Sequence, residues 1–462
     1  MGDEMAKTGL ITVADSRSDF FEKRKPLVIE EMKALDWLRD EFNVIESDVI
    51  TSESSVAEWA DRFNREQIDS LIIHLPIWAD PILSVKVCNY IKEPVLLLGN
   101  GSSETSSLVG VLGAGGALDQ IGREHTRVFQ HNTEAGRRKV RAFLRATSAA
   151  KTLRGNVLGI FGSRSLGIFT TVSDVAQWQR IFDIDIKYFD ESSIVEKART
   201  IDDDSVREYR EWLLEQLESC EFGGLFTPEA LERQIRSYLS LKELVKENQL
   251  DFVGNKCQRE LSDGYTTQCL AHMMLNSTWD ISGEKKPTVH ACESDTDGAL
   301  TMKILSLLSG GKATTLMDVR YLDTERNLLA LANCGAIAND FYCKGNERCG
   351  LSSVRAVPHA FGSGGGCAFT GIMEEGPVTL ARLCRKNGSY WMAIIKGDVI
   401  SPENGELDSI THQFPKGLMK VRLDQDFLNE FGSNHMHAVR GDYIEELEAF
   451  CRLKCMKYET WK

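Results

Sequence analysis

The sequence lacks several features that would place it in other classes of protein. No run of about 20 apolar residues is present, so we expect no transmembrane helix. Clusters of basic residues are also lacking, and the net charge of −14 argues against nucleic-acid binding. The N-terminal stretch has neither the basic region nor the long apolar region of a signal peptide, and we therefore expect a cytoplasmic protein.

Closely spaced cysteine pairs are lacking as well. Most of the 12 cysteines have apolar neighbours, which is typical of buried free thiols in a reducing compartment. One cluster, formed by Cys334, Cys343 and Cys349, could be considered as a metal site. Its spacing does not match that of a zinc ribbon or finger. We therefore favour free thiols over a metal site at this cluster.

The patterns that are present predict an α/β fold with two doubly wound parallel-sheet domains followed by a smaller, mostly β domain. Near-continuous apolar runs in SLIIHLP and PVLLLGN are typical of strands that helices cover on both faces. From about residue 345, glycine-rich turns separate short strands such as CAFTGIM, which indicates β structure. We predict domains at residues 1–152, 153–343 and 344–462.

Two glycine-rich segments raise the question of a nucleotide site. GVLGAGGALDQIG follows a poor strand, and the acidic residue of a dinucleotide fingerprint does not follow it. GIFGSRSLG follows a strand but lacks the Gly-Lys-Ser/Thr ending of a P-loop. We favour tight strand-to-helix turns that line a cleft for both segments, and an NAD-linked enzyme remains an alternative.

Acidic residues lie at the carboxyl ends of two predicted strands. Glu293 follows the strand pattern PTVHAC, and Asp318 follows ATTLM. Because the intervening stretch reads as a helix, we predict one βαβ unit with its two strands adjacent, ~4.8 Å apart. Two such carboxylates repel each other unless one is protonated or a cation lies between them. Oxygen ligands favour Mg²⁺ or Mn²⁺, and an added imidazole favours Mn²⁺.

A purely structural interpretation of these acids is also open. Glu293 could cap the following helix, and Asp318 could pair with Arg320. Asp295 and Asp297 fit this interpretation well, because acidic residues in the first turn of a helix interact favourably with its dipole.

His435 and His437 provide a candidate third ligand before the last predicted helix. We expect their side chains to point in opposite directions from a strand, so that at most one reaches a given metal. A single histidine is more often a structural hydrogen-bonding residue than a ligand. The residues alone therefore leave the third ligand open.

The segment HACESDTDGALTMKILSLLSGGKATTLMDVR resembles the core of the L-fucose isomerase family, which is related to L-arabinose isomerase. In that family an Ala-Thr-Glu-Asn-Asp segment precedes a helix and an Asp-Val-Arg strand, and a late Asn-His supplies a histidine ligand. The likeness extends to FGSRSLGIFT, GNKCQRELSDGY, LNSTWDISGEKKP and ADSR, and so covers nearly the whole chain. Ser294 and Asp297 replace family asparagines, the helix between the acids is one residue longer, and the chain is shorter than the bacterial fucose isomerases.

The resemblance implies a Mn²⁺-dependent aldose–ketose isomerase, with Mg²⁺ or Co²⁺ as alternative metals. Glu293, Asp318 and His435 would hold the metal, and the two carboxylates would move protons through a cis-enediol. By the same resemblance, six residues would bind the sugar or line its site: Arg17, Trp78, Ser163, Leu166, Gln258 and Asn434. Arg17 and Trp78 would come from a neighbouring subunit of a homo-oligomer, a hexamer or a trimer-based assembly.

The resemblance leaves the sugar open. It implies L-fucose, D-arabinose or L-arabinose, and we rank a neutral pentose or 6-deoxyhexose first. A hexose with a modified C6 group, such as sulfoquinovose, is the alternative, because isomerases that resemble this family convert it to sulfofructose. An anionic C6 group would need a cation, and four residues are candidates: Lys256, Arg259, Arg355 and His359. A non-catalytic sugar-binding protein is a further alternative.

Overall fold

The computed structural model describes residues 7–343, 350–403 and 405–462. The described residues form two compact units. The first unit extends through Lys151 and includes Glu445–Leu453, and the second unit comprises Thr152–Ile444 and Lys454–Lys462. No helix in these ranges is both long enough and apolar enough to cross a membrane.

The first unit contains a parallel five-stranded sheet in the order β2-β1-β3-β4-β5. Its strands are β1 (Lys7–Thr12), β2 (Asn43–Glu46), β3 (Ser70–Leu75), β4 (Val95–Gly99) and β5 (Thr126–Val128). Its helices are α1 (Ser18–Lys33), α2 (Asp36–Glu41), α3 (Glu53–Glu66), α4 (Pro81–Tyr90), α5 (Ser107–Gln120) and α6 (Glu134–Leu153).

Alternate residues of β3 belong to different hydrophobic clusters. Leu71 and Ile73 pack in a cluster with residues of α3, α4 and α5, whereas Ile72 packs in a cluster with residues of α2 and α6. Helices therefore cover both faces of the sheet, which explains the near-continuous apolar runs in its strands.

The second unit contains the remaining strands and most of the remaining helices. The strands are β6 (Val157–Phe161), β7 (Asp185–Phe189), β8 (Ser219–Cys220), β9 (Phe252–Asn255), β10 (Trp279–Asp280), β11 (Gly283–Glu284), β12 (His290–Ala291), β13 (Thr314–Asp323), β14 (Leu328–Ala332), β15 (Arg355–Pro358), β16 (Cys367–Thr370), β17 (Gly376–Lys386), β18 (Ser389–Ile400), β19 (Lys416–Lys420), β20 (His435–Arg440) and β21 (Lys457–Trp461). The helices are α7 (Val175–Phe182), α8 (Ser192–Ala198), α9 (Asp203–Gln216), α10 (Pro228–Glu247), α11 (Glu260–Gly264), α12 (Cys269–Asn276), α13 (Thr296–Leu308), α14 (Phe427–Glu430) and α15 (Ile444–Leu453), the last lying mainly in the first unit.

Two large sheets organise the second unit. A parallel sheet has the order β12-β9-β6-β7, and a mainly antiparallel sheet has the order β17-β20-β13-β14-β19-β18-β21. Strand β17 also pairs with β18, so that six strands of the second sheet close into a ring. Two parallel α/β sheets followed by a mostly β region confirm the predicted fold class.

The predicted βαβ unit around α13 is wrong. Strand β12 lies at the edge of the parallel sheet and pairs with β9, whereas β13 pairs antiparallel with β14 and β20. A strand–helix–strand pattern indicates that the chain reverses through a helix, but it does not specify the sheet that the second strand joins. Helix α13 here connects the parallel sheet to the closed sheet.

Candidate metal and substrate site

Three of the predicted site segments lie at one edge of the parallel sheet. Ser163 and Leu166 follow the carboxyl end of β6, Gln258 follows β9, and Glu293 follows β12. These three strands are adjacent and parallel, so their carboxyl ends share an edge, where ligands of open α/β sheets bind.

Glu293 combines an unusual backbone conformation with a buried side chain. Glu293 and Ser294 both adopt left-handed conformations, with φ of 59° and 50°, which cost about 1–3 kcal/mol each for a non-glycine residue. Glu293 is only 9% exposed, and its Oε2 atom has no hydrogen-bond partner within the described ranges. Burial, chiefly, raises the pKa of Glu293 to about 7. A buried acceptor of this kind is suited to a metal ion or a proton.

His435 brings the two predicted acidic ligands together. Asp318 on β13 lies opposite His435 on β20 in the antiparallel register. The Nε2 atom of His435 lies 3.7 Å from Oε2 of Glu293 and 3.8 Å from Oδ1 of Asp318. Ligand atoms about 2.1 Å from one divalent ion lie roughly 3 to 4 Å from each other. Each of these two distances from His435 therefore suits a pair of ligands of one such ion.

Asp295 orients the His435 ring. Its Oδ2 atom lies 2.7 Å from Nδ1 of His435, which leaves Nε2 facing the two acids. Asp295 also pairs with the buried Arg382. Burial opposes the charge of Asp295, but Arg382 and then His435 outweigh this effect and lower its pKa. A carboxylate behind a histidine ligand is a common way to fix its tautomer and orientation.

The structural interpretation of the acids is right for Asp295 and wrong for Glu293. Asp295 is the N-cap of α13, and its Oδ1 accepts a hydrogen bond from the backbone N–H of Gly298 at 2.8 Å. Asp318 accepts a hydrogen bond from Nδ2 of Asn434 at 3.2 Å, whereas the Arg320 guanidinium stacks over the Phe414 ring.

The expectation that His435 and His437 point in opposite directions is wrong, because residues two apart on a strand share a face. Nε2 of His437 lies 4.0 Å from Oδ2 of Asp295. A Cβ atom at Gly298 would lie 2.6 Å from the same nitrogen, so His437 packs against the first turn of α13. Burial lowers the pKa of His437 well below its usual value, so the ring is neutral.

Sequence reasoning did not find the orienting role of Asp295 or of Arg382. The position of Asp295 at the start of a helix was explained by a helix cap, and nothing in the sequence indicated its contact with His435. Arg382 lies in the strand sequence GPVTLARLCRK and is 1% exposed. An arginine within an otherwise buried strand run is the only signal for it in the sequence.

The loops of the parallel sheet carry the other predicted contacts. Ser165 Oγ lies 3.4 Å from the carbonyl oxygen of Gln258, so the loops after β6 and β9 touch. Leu166 is 54% exposed and therefore available to a ligand. Of the predicted C6-binding cations, Lys256 pairs with Glu260 and Arg355 with Glu221.

Arg17 and Trp78 belong to the first unit and line a cavity there. Arg17 pairs with Asp15 at 2.7 Å. The cavity follows the carboxyl ends of β1 and β3, and its other lining residues are Asp15, Phe20, Arg24, Ile77, Ser106 and Val109.

The two glycine-rich segments differ in structure. GSRSLG forms a turn after β6, as predicted. Most of GVLGAGGALDQIG instead lies within α5, so the predicted turn is wrong there. A Cβ atom at Gly110 would lie 3.1 Å from the carbonyl oxygen of Ile77, which shows that glycine permits close packing of this helix. Cys334 is partly buried and Cys343 is buried, and Cys349 lies outside the described residues.

Several known isomerases are similar to this chain in sequence. A sulfoquinovose isomerase from Priestia aryabhattai is 21% identical over 394 residues, which cover 81% of this chain and 82% of that protein. One from Clostridium sp. (strain MSTE9) is 25% identical over 377 residues and covers 80% and 79%. An L-fucose isomerase from Vibrio vulnificus (strain YJ016) is 22% identical over 362 residues and covers 68% and 61%.

Among solved structures, an ABC transporter solute-binding protein from Burkholderia multivorans is 11% identical and covers 67% of this chain and 95% of its own. Its TM-score of 0.17 is too low to support any argument.

Two domain models of one family match the two ends of the chain. Residues 7–155 match the first N-terminal domain of L-fucose isomerase, and residues 331–462 match its C-terminal domain. Together these ranges cover more than half of the chain. The predicted resemblance is thereby confirmed, and the protein belongs to the L-fucose isomerase family.

Proposed function

We propose that the protein is an aldose–ketose isomerase that uses Mn²⁺, held by Glu293, Asp318 and His435. One observation supports this most strongly. The oriented Nε2 of His435 faces two carboxylate oxygens at 3.7 and 3.8 Å, and one of these oxygens is buried without a hydrogen-bond partner in the described parts of the chain. Two carboxylates and one imidazole are ligands that suit Mn²⁺.

The two carboxylates would carry out the proton transfers. A bound metal ion would polarise the carbonyl group of an open-chain sugar and so acidify the adjacent C–H bond. Glu293 and Asp318 would take the proton from C2 and return it to C1, and would move the hydroxyl proton from O2 to O1, through a cis-enediol. The pKa of about 7 for Glu293 lies in the range where a carboxyl group can both accept and release a proton at neutral pH.

Asn434 and Asp295 would position these groups. Asn434 donates a hydrogen bond to Asp318, and it thereby favours the charged form of this carboxylate and restrains it. Asp295 holds His435. Ser163, Leu166 and Gln258, on the loops at the same sheet edge, would contact the sugar.

Two classes of substrate have support. The family models favour a neutral sugar of the L-fucose type, which we ranked first from the sequence. The sulfoquinovose isomerases, however, match a larger share of this chain than the L-fucose isomerase does, which favours a hexose with a C6 sulfonate. Lys256, two residues before Gln258, would be the cation that binds this sulfonate. It would leave its present ion pair with Glu260 to do so.

A substrate screen with Mn²⁺ tests the proposal. Purified protein should convert L-fucose, D-arabinose, L-arabinose or sulfoquinovose into the corresponding ketose. If sulfoquinovose is the substrate, Lys256→Ala should raise its KM, whereas Lys187→Ala on the exposed part of the same sheet should not. Failure to convert any aldose would contradict the isomerase proposal, and an unchanged KM in Lys256→Ala would contradict the role of Lys256.

A further inference from the structure

We propose a second metal site, of different chemistry, within the first unit. Glu31, His74 and His131 each offer one ligand atom, and the three atoms lie within 4.8 Å of one another. Two imidazoles and one carboxylate form a donor set typical of Zn²⁺. The site is separate from Glu293, Asp318 and His435, and it does not depend on the isomerase activity.

The fold brings the three residues together from distant parts of the sequence. Glu31 is in the last turns of α1, His74 is near the carboxyl end of β3, and His131 lies between β5 and α6. In the β3 strand, His74 is two residues after Ile72 and so shares its face, where the hydrophobic cluster with α6 lies. A polar ring thus occupies a position that packing alone would assign to an apolar side chain.

The two histidine rings are fully buried and have incomplete hydrogen bonding. Both residues are 0% exposed. Nδ1 of His74 lies 3.3 Å from Thr12 Oγ1, whereas its Nε2 has no partner in the described part of the chain. A buried nitrogen without a partner costs about 1–3 kcal/mol, and a metal ion would satisfy it.

The remaining contacts also suit a metal ion. Nε2 of His131 lies 3.0 Å from Oε2 of Glu31, close to the ~3.3 Å expected for two ligands of one tetrahedral zinc ion. Arg39 lies close enough to His74 to act on it electrostatically. Arg39 does not leave an uncompensated positive charge, because it pairs with Asp36 and Glu46.

Zinc at this position would fix α1 to the carboxyl edge of the first sheet. Helix α1 carries Phe20 and Arg24, and Arg17 directly precedes it. All three residues line the cavity that contains Trp78. The ion would therefore hold one wall of that cavity in place. The alternative is an ordinary hydrogen-bonded Glu31–His131 pair beside an unsatisfied His74, which would bind no metal.

Metal counting on the full-length protein tests this proposal. Chelator-treated protein should take up Zn²⁺ with a rise in Tm, and Glu31→Gln and His131→Gln should each lose one equivalent of zinc and most of that rise. Glu30→Gln, which changes the adjacent exposed acid on the same helix, should behave as the wild-type protein does. Glu293→Gln should retain this equivalent, since that residue belongs to the other site.

Substitution with Co²⁺ distinguishes this site from binding by cysteines. In the Glu293→Gln background, which removes a ligand of the other site, Co²⁺ at Glu31, His74 and His131 should show visible d–d absorption without the near-ultraviolet thiolate charge-transfer band. Adding Glu31→Gln to this background should abolish that absorption. Undiminished zinc uptake and an undiminished rise in Tm in both Glu31→Gln and His131→Gln would overturn the proposal. The absence of any zinc uptake by the wild-type protein would overturn it too.

Discussion

Oδ2 of Asp295 lies 2.7 Å from Nδ1 of His435, and this contact determines which nitrogen of His435 faces Glu293 and Asp318. The same carboxylate caps α13 and pairs with Arg382. One buried side chain thus connects the start of a helix, a cation on β17 and the candidate metal ligand on β20.

Replacing Asp295 should weaken metal binding without removing a ligand. Asp295→Asn keeps the helix cap but removes the charge that orients His435, so we expect Mn²⁺ affinity to fall about 10- to 100-fold. Loss of the partner of a buried arginine should also lower the free energy of unfolding by about 3–5 kcal/mol. Calorimetric titration and chemical denaturation would measure the two effects.

Asp297→Asn is the matched control for this change. Asp297 is also buried, but it bonds to Trp178 and Tyr390. The Asp297→Asn variant should therefore bind Mn²⁺ with an affinity within a fewfold of that of the wild-type protein. Equal losses of affinity in the two variants would indicate a general effect of altering buried carboxylates in α13.

The two histidines of β20 should differ sharply. His435→Ala removes the nitrogen that faces both acids and should abolish high-affinity Mn²⁺ binding. His437→Ala removes a neutral ring packed on Gly298 and should cost about 2 kcal/mol of stability with little effect on affinity. Titration of both variants with Mn²⁺ checks this order, and the reverse order would mean that His437 is the ligand.

Metal affinity should increase with pH. In the metal-free protein the pKa of Glu293 is about 7, so the side chain carries a proton below that pH and must release it when a metal binds. Apparent Mn²⁺ affinity should therefore fall about tenfold per pH unit below 7 through this group. Above pH 7 the contribution of Glu293 should level off.

Titration in buffers of different ionisation enthalpy would count the released protons. Burial lowers the pKa of His435, but its hydrogen bond to Asp295 and the charges of Asp295 and Glu293 together outweigh this and raise the pKa, so His435 can release a second proton. A pH-independent affinity between pH 5.5 and 7 would contradict the assignment of Glu293 as a buried ligand.

Arg17 provides a test of shared sites in an oligomer. If Arg17 reaches the site of a neighbouring subunit, mixing Arg17→Ala with Glu293→Gln protomers should restore part of the activity, because some sites then receive both native residues. Activity assays on co-refolded mixtures would measure this recovery. Mixed oligomers that stay inactive would argue that each chain contains a complete site.

The sequence predicted the strands well where burial on two faces leaves a continuous apolar run, as in β3 and β4. It also singled out Glu293 and Asp318, each after an apolar run, and both carboxylates lie within 4 Å of His435; their role as ligands stays a prediction. It did not predict that β13 joins the closed sheet, because pairing partners depend on contacts far apart in the chain. The glycines of α5 suggested a turn, but their small size instead serves close packing against the segment after β3.

The contacts of Asp295 with His435 and Arg382 could not be predicted from the sequence for a related reason. Asp295 and Arg382 lie 87 positions apart, and nothing local in either segment indicates their pairing. By contrast, strand geometry alone places the side chains of His435 and His437 on the same face, so the expectation of opposite directions was wrong on the sequence itself. Left-handed backbone at Glu293, a non-glycine residue, has no reliable sequence signal either.

The most direct test is Mn²⁺ binding measured together with isomerisation. Chelator-treated wild-type protein should be inactive and should regain activity as it binds one equivalent of Mn²⁺ with high affinity. Glu293→Gln and Asp318→Asn should lose both binding and turnover while keeping the fold by circular dichroism, whereas the exposed-acid controls Glu284→Gln and Asp426→Asn should keep both. Full turnover after exhaustive chelation, or an undiminished equivalent of Mn²⁺ in Glu293→Gln, would contradict the account.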